Sequence, residues 1–156
     1  MITVRRMLAV FALAVAVAIL AALPAAAQTT STRCTAFAVL QPGNEVPPTT
    51  SQASGATLVR INGASVSFAT VIGNPAREEF FAGHIHQAPV GVNGPIVVGL
   101  FDGLSTRRLF TQFDTGTPRG AFDPAAICAN PAGFYVNYHT TVFPGGAVRG
   151  QLTSLF

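Results

Sequence analysis

The sequence has 156 residues, which is enough for one domain but short for two. Because 49% of the residues are apolar and only 10% are charged, the composition excludes a disordered chain rich in charge. The nine basic residues, all arginine, are too few for the dense basic surface of a nucleic-acid-binding protein.

Residues 1–27 have the pattern of a secretory signal peptide. Arg5 and Arg6 precede an apolar run over 7–23, and small alanines follow it. An uncleaved membrane anchor is the alternative, since the run is near the lower limit of about 17–25 residues for a span. Removal of the leader would leave a single domain over 28–156 with no membrane segment, secreted or periplasmic. Its net charge would be +1, because seven arginines and six carboxylates remain.

Short apolar runs separated by Gly, Pro and Asn follow the leader, without the 3.6-residue period of a long helix. A hairpin turn is predicted at Asn62-Gly63, and Asp123-Pro124 can begin a short helix over Ala125–Ala129. About eight strands at this spacing predict an all-β sandwich or barrel. The predicted strands are 34–40, 56–61, 64–71, 80–86, 96–101, 109–113, 134–141 and 148–152.

The chain has two cysteines, Cys34 and Cys128. In an oxidising compartment the expected outcome is one disulfide between them. A loop of this length corresponds to about 4–5 kcal/mol in the loop-entropy description, as an upper figure. The alternative is that the thiols bind a metal, but no Cys-x-x-Cys spacing supports it.

The three histidines are candidate metal ligands. His84 and His86 are two residues apart on a predicted strand, so their side chains point to one face, about 6–7 Å apart. His139 lies near the end of another predicted strand. Three imidazoles on a β scaffold would form an open copper or zinc site. The alternative is that these histidines stabilise loops through hydrogen bonds.

Four further residues could surround such a site. Arg149 could hold an anion or a bound oxygen species, or it could pair with a carboxylate such as Glu45 and stabilise the sheet. Glu45 lies in a rigid loop, which favours a structural role. Tyr135, Asn137 and His139 alternate along one strand and share a face, which suits either the wall of a site or a partly exposed binding face.

Several segments of the chain, in order, also carry a family resemblance. They are Gly43-Asn44-Glu45-Val46-Pro47-Pro48, Gly55-Ala56, Ala82-Gly83-His84-Ile85-His86, Asn93-Gly94-Pro95, Tyr135-Val136-Asn137-Tyr138-His139-Thr140 and Pro144-Gly145-Gly146-Ala147-Val148-Arg149-Gly150-Gln151-Leu152. Together they resemble the CHRD domain, named after chordin, an extracellular antagonist of bone morphogenetic proteins. The resemblance covers about residues 34–156.

The resemblance implies an immunoglobulin-like Greek-key β-sandwich or barrel, distantly similar to Cu/Zn superoxide dismutase. In that comparison His84 and His86 resemble the copper-binding strand of the dismutase. His139 resembles its late copper ligand, and Arg149 resembles its substrate-guiding arginine. With three histidines in the chain, the zinc site of a dismutase cannot be built in its usual form.

Three functions are open at this point. The first is a secreted or periplasmic domain that binds copper or zinc through the three histidines. The second is an extracellular protein-interaction module with structural histidines. The third is a weak dismutase-like oxidoreductase, against which the missing second metal site argues. The sequence leaves the oligomeric state undetermined.

Overall fold

The computed structural model describes residues 32–155, which contain nine strands and one α-helix. Single turns of 3-10 helix cover Pro42–Asn44 and Pro131–Gly133. The predicted signal peptide lies outside the described residues. The elements are β1 (Arg33–Leu40), β2 (Ser54–Asn62), β3 (Ser65–Gly73), β4 (Phe80–Gln87), β5 (Ile96–Ser105), β6 (Leu109–Pro118), α1 (Ala125–Ala129), β7 (Phe134–Thr140), β8 (Val148–Gln151) and β9 (Thr153–Ser154).

The strands form one antiparallel sheet in the order β8-β7-β4-β5-β6-β3-β2-β1-β9. The first part of β6 pairs with β3 and its end pairs with β5, so β6 joins the two halves of the sheet. The chain then passes from β8, beside β7, to β9, beside β1. Gln41 and Arg149 add an isolated bridge across this gap. The sheet is therefore nearly closed, and the predicted all-β sandwich or barrel is confirmed. Within 32–155, no helix has the length and apolar character needed to cross a membrane.

The predicted strand bounds are close to those observed, except in β5 and β6. Both strands are longer than predicted and continue to Ser105 and Pro118. The prediction ended β5 at Asp102-Gly103, which is wrong. The pairing of β5 with β4 contains register shifts, and these bulges allow the strand to continue through the glycine.

The hairpin between β2 and β3 is confirmed, but its turn lies one residue later than predicted. Asn62 pairs with Ser65, which leaves Gly63 and Ala64 as the turn residues. Gly63 has a φ of 57°, in the left-handed region that favours glycine. The ladder therefore extends through Asn62, whose side chain accepts a hydrogen bond from Arg33.

The core lies between the two halves of the sheet. Phe80, Phe110 and Tyr138 pack there with ring centroids 5.8–6.4 Å apart. The Tyr138 hydroxyl lies 2.8 Å from the Thr70 hydroxyl, which lies 2.9 Å from that of Thr57. Burial raises the pKa of Tyr138, so this hydroxyl keeps its proton. The three hydroxyls satisfy one another and fix β7 against β3 across the core.

Cys34 in β1 and Cys128 in α1 form a disulfide, with their Cα atoms 5.6 Å apart. The predicted pairing is confirmed, and the alternative of thiolate metal ligands is wrong, because both thiols are consumed. The bridge holds α1 against β1, while the neighbouring Ile127 is fully buried in the core.

Replacing Cys34 and Cys128 together with serine should lower the free energy of unfolding by about 2–5 kcal/mol, because the bridge constrains a long loop in the unfolded chain. Urea unfolding of both proteins measures the difference. Wild-type protein treated with reductant is the control and should unfold like the double variant. Equal stability of the oxidised wild type and the double variant would contradict this expectation.

Candidate metal centre

The pairing of β4 with β7 brings the three histidines together. Ala82 lies opposite His139, and His84 lies opposite Asn137, so the two histidines are diagonal neighbours on one face. His86 follows two residues after His84 on the same face. The ring centroids are 5.1–6.0 Å apart. One ring nitrogen from each histidine lies within 4.8 Å of the other two.

Two backbone carbonyls determine which nitrogen of His86 and His139 carries the proton. Nδ1 of His86 lies 2.9 Å from the carbonyl oxygen of Gly94, and Nδ1 of His139 lies 3.1 Å from that of Pro144. A carbonyl oxygen only accepts, so both Nδ1 atoms are donors. In the neutral rings, both Nε2 atoms therefore present a lone pair.

The remaining ring nitrogens face one another inside the cluster. Nδ1 of His84 lies 3.1 Å from Nε2 of His139, so one hydrogen bond can link these two rings. Nε2 of His86 is buried and has no hydrogen-bond partner within the described residues. A buried lone pair without a donor is costly, and it calls for a proton or a cation.

The surroundings favour the neutral form of all three rings. Burial, together with the charges of His139, His86 and Arg119, lowers the pKa of His84 to about 4. Burial also lowers the pKa of His86 and of His139, although their bonds to Gly94 and Pro144 act in the opposite direction. Neutral imidazole is the form that binds a metal ion, so no proton has to be displaced from these rings near pH 7.

Arg149 lies in the same polar layer, where it binds a loop. Its exposed fraction is 2%. Nη1 donates to Asn93 Oδ1 at 3.0 Å, and Nη2 donates to the carbonyl oxygens of Val92 at 2.8 Å and Pro89 at 3.4 Å. One of the two roles expected for Arg149 is an ion pair with a carboxylate such as Glu45. No hydrogen bond joins these two side chains in the described chain. The buried guanidinium is therefore satisfied by three loop acceptors, and the role of Arg149 towards an anion or a bound oxygen species stays a prediction.

A stack of three planar groups connects Arg149 to the histidines. The guanidinium carbon lies 3.3 Å from the centroid of the Tyr135 ring. The Tyr135 ring stacks on His86, with centroids 4.8 Å apart and an angle of 9° between the planes. The Tyr135 hydroxyl accepts a hydrogen bond from the backbone amide of Gly94. The carbonyl oxygen of the same residue accepts the hydrogen bond from Nδ1 of His86. Arg149 thus fixes both the ring and the loop that orient His86.

The loop over 88–95 covers this face. Gln151 donates to the Ala88 carbonyl oxygen, and Asn93 donates to that of Val46 in the neighbouring loop. Every residue of β7 is buried, including the polar face that Tyr135 and Asn137 share. The expectation of a partly exposed sheet face is therefore wrong, and the role of this face as the wall of a site stays a prediction.

Glu45 reaches the same layer and contacts Asn137. Its carboxylate accepts a hydrogen bond from Asn137 Nδ2 at 3.3 Å. Glu45 Oε1 and Asn137 Oδ1 are buried and have no hydrogen-bond partner among residues 32–155. Burial raises the pKa of Glu45 to about 7, although Arg149 and Asn137 lower it. A proton on the carboxyl group would make one of the two unpaired oxygens a donor. Gly146 is required beside them, because a Cβ there would lie 2.5–2.6 Å from both side chains.

Arg119 is a further charged residue near the histidines, and no sequence motif points to it. Arg119 is exposed, and together with the half-buried His84 it lines an open groove of about 510 Å³. Its guanidinium passes over Gly99, which pairs with His84 and leaves room for it. Arg119 is distant from His84 in sequence, and only the pairing of β5 with both β4 and β6 brings the two side chains together.

Comparison with known protein families matches residues 36–152 to the CHRD domain. The chain belongs to the CHRD domain family. The match covers most of the chain, including all three histidines, Glu45 and Arg149, and it confirms the resemblance found in the sequence. Searches of curated proteins and of solved structures found no match to this chain.

Replacing Arg149 of this CHRD domain with lysine should lower the free energy of unfolding by about 2–4 kcal/mol, because hydrogen bonds to a buried charge and the Tyr135 stack are lost. Amide exchange over 88–95 should accelerate at the same time. Urea unfolding and hydrogen exchange measure the two effects. Arg108→Lys is the matched control, since Arg108 makes one exposed bond to Pro75. Equal effects of the two substitutions would contradict the role of Arg149.

Replacing Glu45 with glutamine should stabilise the domain progressively as the pH rises. The pKa of Glu45 is about 7 in the folded state against 4.5 unfolded, so its contribution to stability falls between these values and is constant above them. Glutamine does not ionise. Urea unfolding of both proteins between pH 4.5 and pH 8 measures the difference, and contributions from the histidines cancel. A difference that does not change with pH would contradict a buried neutral carboxyl group.

Proposed function

We propose that this CHRD domain is a secreted or periplasmic protein that binds one copper or zinc ion through His84, His86 and His139. The observation that carries the proposal is the buried Nε2 of His86, which has no hydrogen-bond partner in the described chain. A metal ion would supply the missing positive partner.

The hydrogen bonds around the cluster support this proposal over purely structural histidines. A structural role accounts for the bonds from Nδ1 of His86 and His139 to backbone carbonyls and for the contact between His84 and His139. It does not account for Nε2 of His86. Metal-binding histidines commonly donate their other ring nitrogen to a backbone carbonyl, as these two do.

The donor set determines the class of metal. Three neutral imidazoles suit copper and zinc, and nitrogen sites bind Cu²⁺ more tightly than Zn²⁺. Metal–nitrogen bonds are about 2.0–2.1 Å long, so nitrogens spread over as much as 4.8 Å must approach one another when the ion binds. His84, the most exposed of the three, is best able to move. Copper is therefore the ion we expect first.

The proposed location depends on two features of the chain. The leader over 1–27 has the pattern of a signal peptide. The disulfide between Cys34 and Cys128 suits an oxidising compartment outside the cytoplasm. In such a compartment a three-histidine site could store, buffer or deliver copper.

Calorimetric titration of the purified protein with Cu²⁺ and with Zn²⁺ tests the proposal. We expect one equivalent to bind with micromolar or tighter affinity. Saturation at about 100 times Kd should add about 2.7 kcal/mol to the free energy of unfolding. His84→Ala should abolish binding without unfolding the protein, because His84 is half-buried and its only side-chain hydrogen bond within the described chain is to His139.

Gln87→Ala is the matched control, since Gln87 follows His86 on the same strand and its side chain is exposed. This variant should bind metal like the wild type. Absence of binding by the intact protein would overturn the proposal and leave the histidines as hydrogen-bonding residues. Binding that persists in both His84→Ala and His139→Ala would show that the ion binds elsewhere.

A further inference from the structure

The outer face of β1, β2, β3 and β6 carries an unusual concentration of exposed apolar side chains. Ten large apolar residues are exposed in the described chain, and five of them lie on this face. Among the five on this face, Phe113 is the most exposed, at 78%, and Leu109 is the next, at 60%. The five are Val39, Leu58, Val71, Leu109 and Phe113.

The strand register arranges these side chains in two continuous rows across four strands. Thr111 is the one polar residue in the two rows, and Leu109, the first residue of β6, lies beside Thr111 on the same face. One row is Phe37, Leu58, Ala69 and Phe113, and the next is Val39, Ala56, Val71 and Thr111. The patch is therefore a surface without a charged residue rather than a scatter of single apolar residues.

From these rows, we infer that two copies of the chain associate through this face, with their outer sheets packed against each other. The inference is independent of the metal site, which lies under the loops covering β4 and β7. A symmetric dimer needs a patch that is complementary to itself. Phe113, which is 78% exposed, lies opposite Ala69, whose side chain ends at Cβ, so the same face carries a large and a small side chain next to each other.

The apolar area suits a dimer of ordinary size. The five exposed residues present about 350–450 Å² of apolar surface, taking ordinary areas for aliphatic and aromatic side chains. A standard interface covers about 800 Å² per partner, of which about 450–520 Å² is apolar. The two rows thus provide most of the apolar surface that such an interface needs.

The charges on the face select how the two copies are oriented. Arg60 lies in the row next to Phe37 and Leu58, and Arg33 lies one row further, so both are on the same side of the apolar rows along the strands. The outer positions of these four strands carry no carboxylate to pair with them. A two-fold axis that lies between the two sheets and runs across the strands superposes the apolar rows. It places the arginines of one copy and those of the other at opposite ends of the strands. An axis parallel to the strands would bring the like charges together.

Sedimentation velocity of the purified protein tests the inference. The wild type should sediment with the mass of two chains at about 100 µM, well above a micromolar Kd. Phe113→Asp and Leu109→Asp should each sediment as a single chain at this concentration. Both should keep the melting temperature that the wild type has when diluted to a single chain, because both side chains are exposed in the isolated chain. Leu104→Asp is the matched control, since Leu104 is 74% exposed on β5, and it should remain a dimer.

Two results would overturn the inference. One is a wild-type protein that remains a single chain at about 100 µM. Binding of this single chain to vesicles of anionic phospholipid through Phe113 would assign the face to a membrane instead. The other is a dimer that persists in both aspartate variants, which would place the contact on another surface.

Discussion

The arrangement of the candidate site depends on the burial of one arginine. Arg149 is almost fully enclosed, and a guanidinium in that position must find acceptors inside the protein. It finds them on the loop over 88–95 and lies against Tyr135, which in turn stacks on His86. The same loop contributes Gly94, whose carbonyl oxygen determines the tautomer of His86. Loop position, ring orientation and protonation are therefore coupled through one side chain.

This coupling makes the polar face an interior surface with defined donors and lone pairs. The polar residues that alternate along β7 each bind a different loop. Tyr135 accepts a hydrogen bond from Gly94, Asn137 donates to Glu45, and His139 donates to Pro144. Desolvation keeps the three imidazoles neutral and raises the pKa of Glu45. Because these rings are neutral, a cation that binds to them would displace no proton near pH 7.

Much of this fold was predictable from the sequence, because period-two alternation and turn residues are local signals. The spacing of His84 and His86 likewise placed both rings on one face. Three features were not predictable. The length of β5 depends on bulges in its pairing with β4, and the length of β6 depends on its pairing with both β3 and β5. The contacts of Arg149 depend on a loop far away in sequence, and Arg119 approaches His84 only through strand pairing. Each of these is a tertiary effect with no local pattern.

The tautomers of the three histidines, measured by long-range ¹H–¹⁵N NMR, test the central claim most directly. The metal-free protein should show His86 and His139 protonated at Nδ1, with an unprotonated Nε2 on each. Addition of one equivalent of Zn²⁺ should shift Nε2 of His86 and His139 and one nitrogen of His84, and Arg149→Lys should disorder the His86 signal. A proton on Nε2 of His86, or spectra unchanged by zinc, would contradict the account.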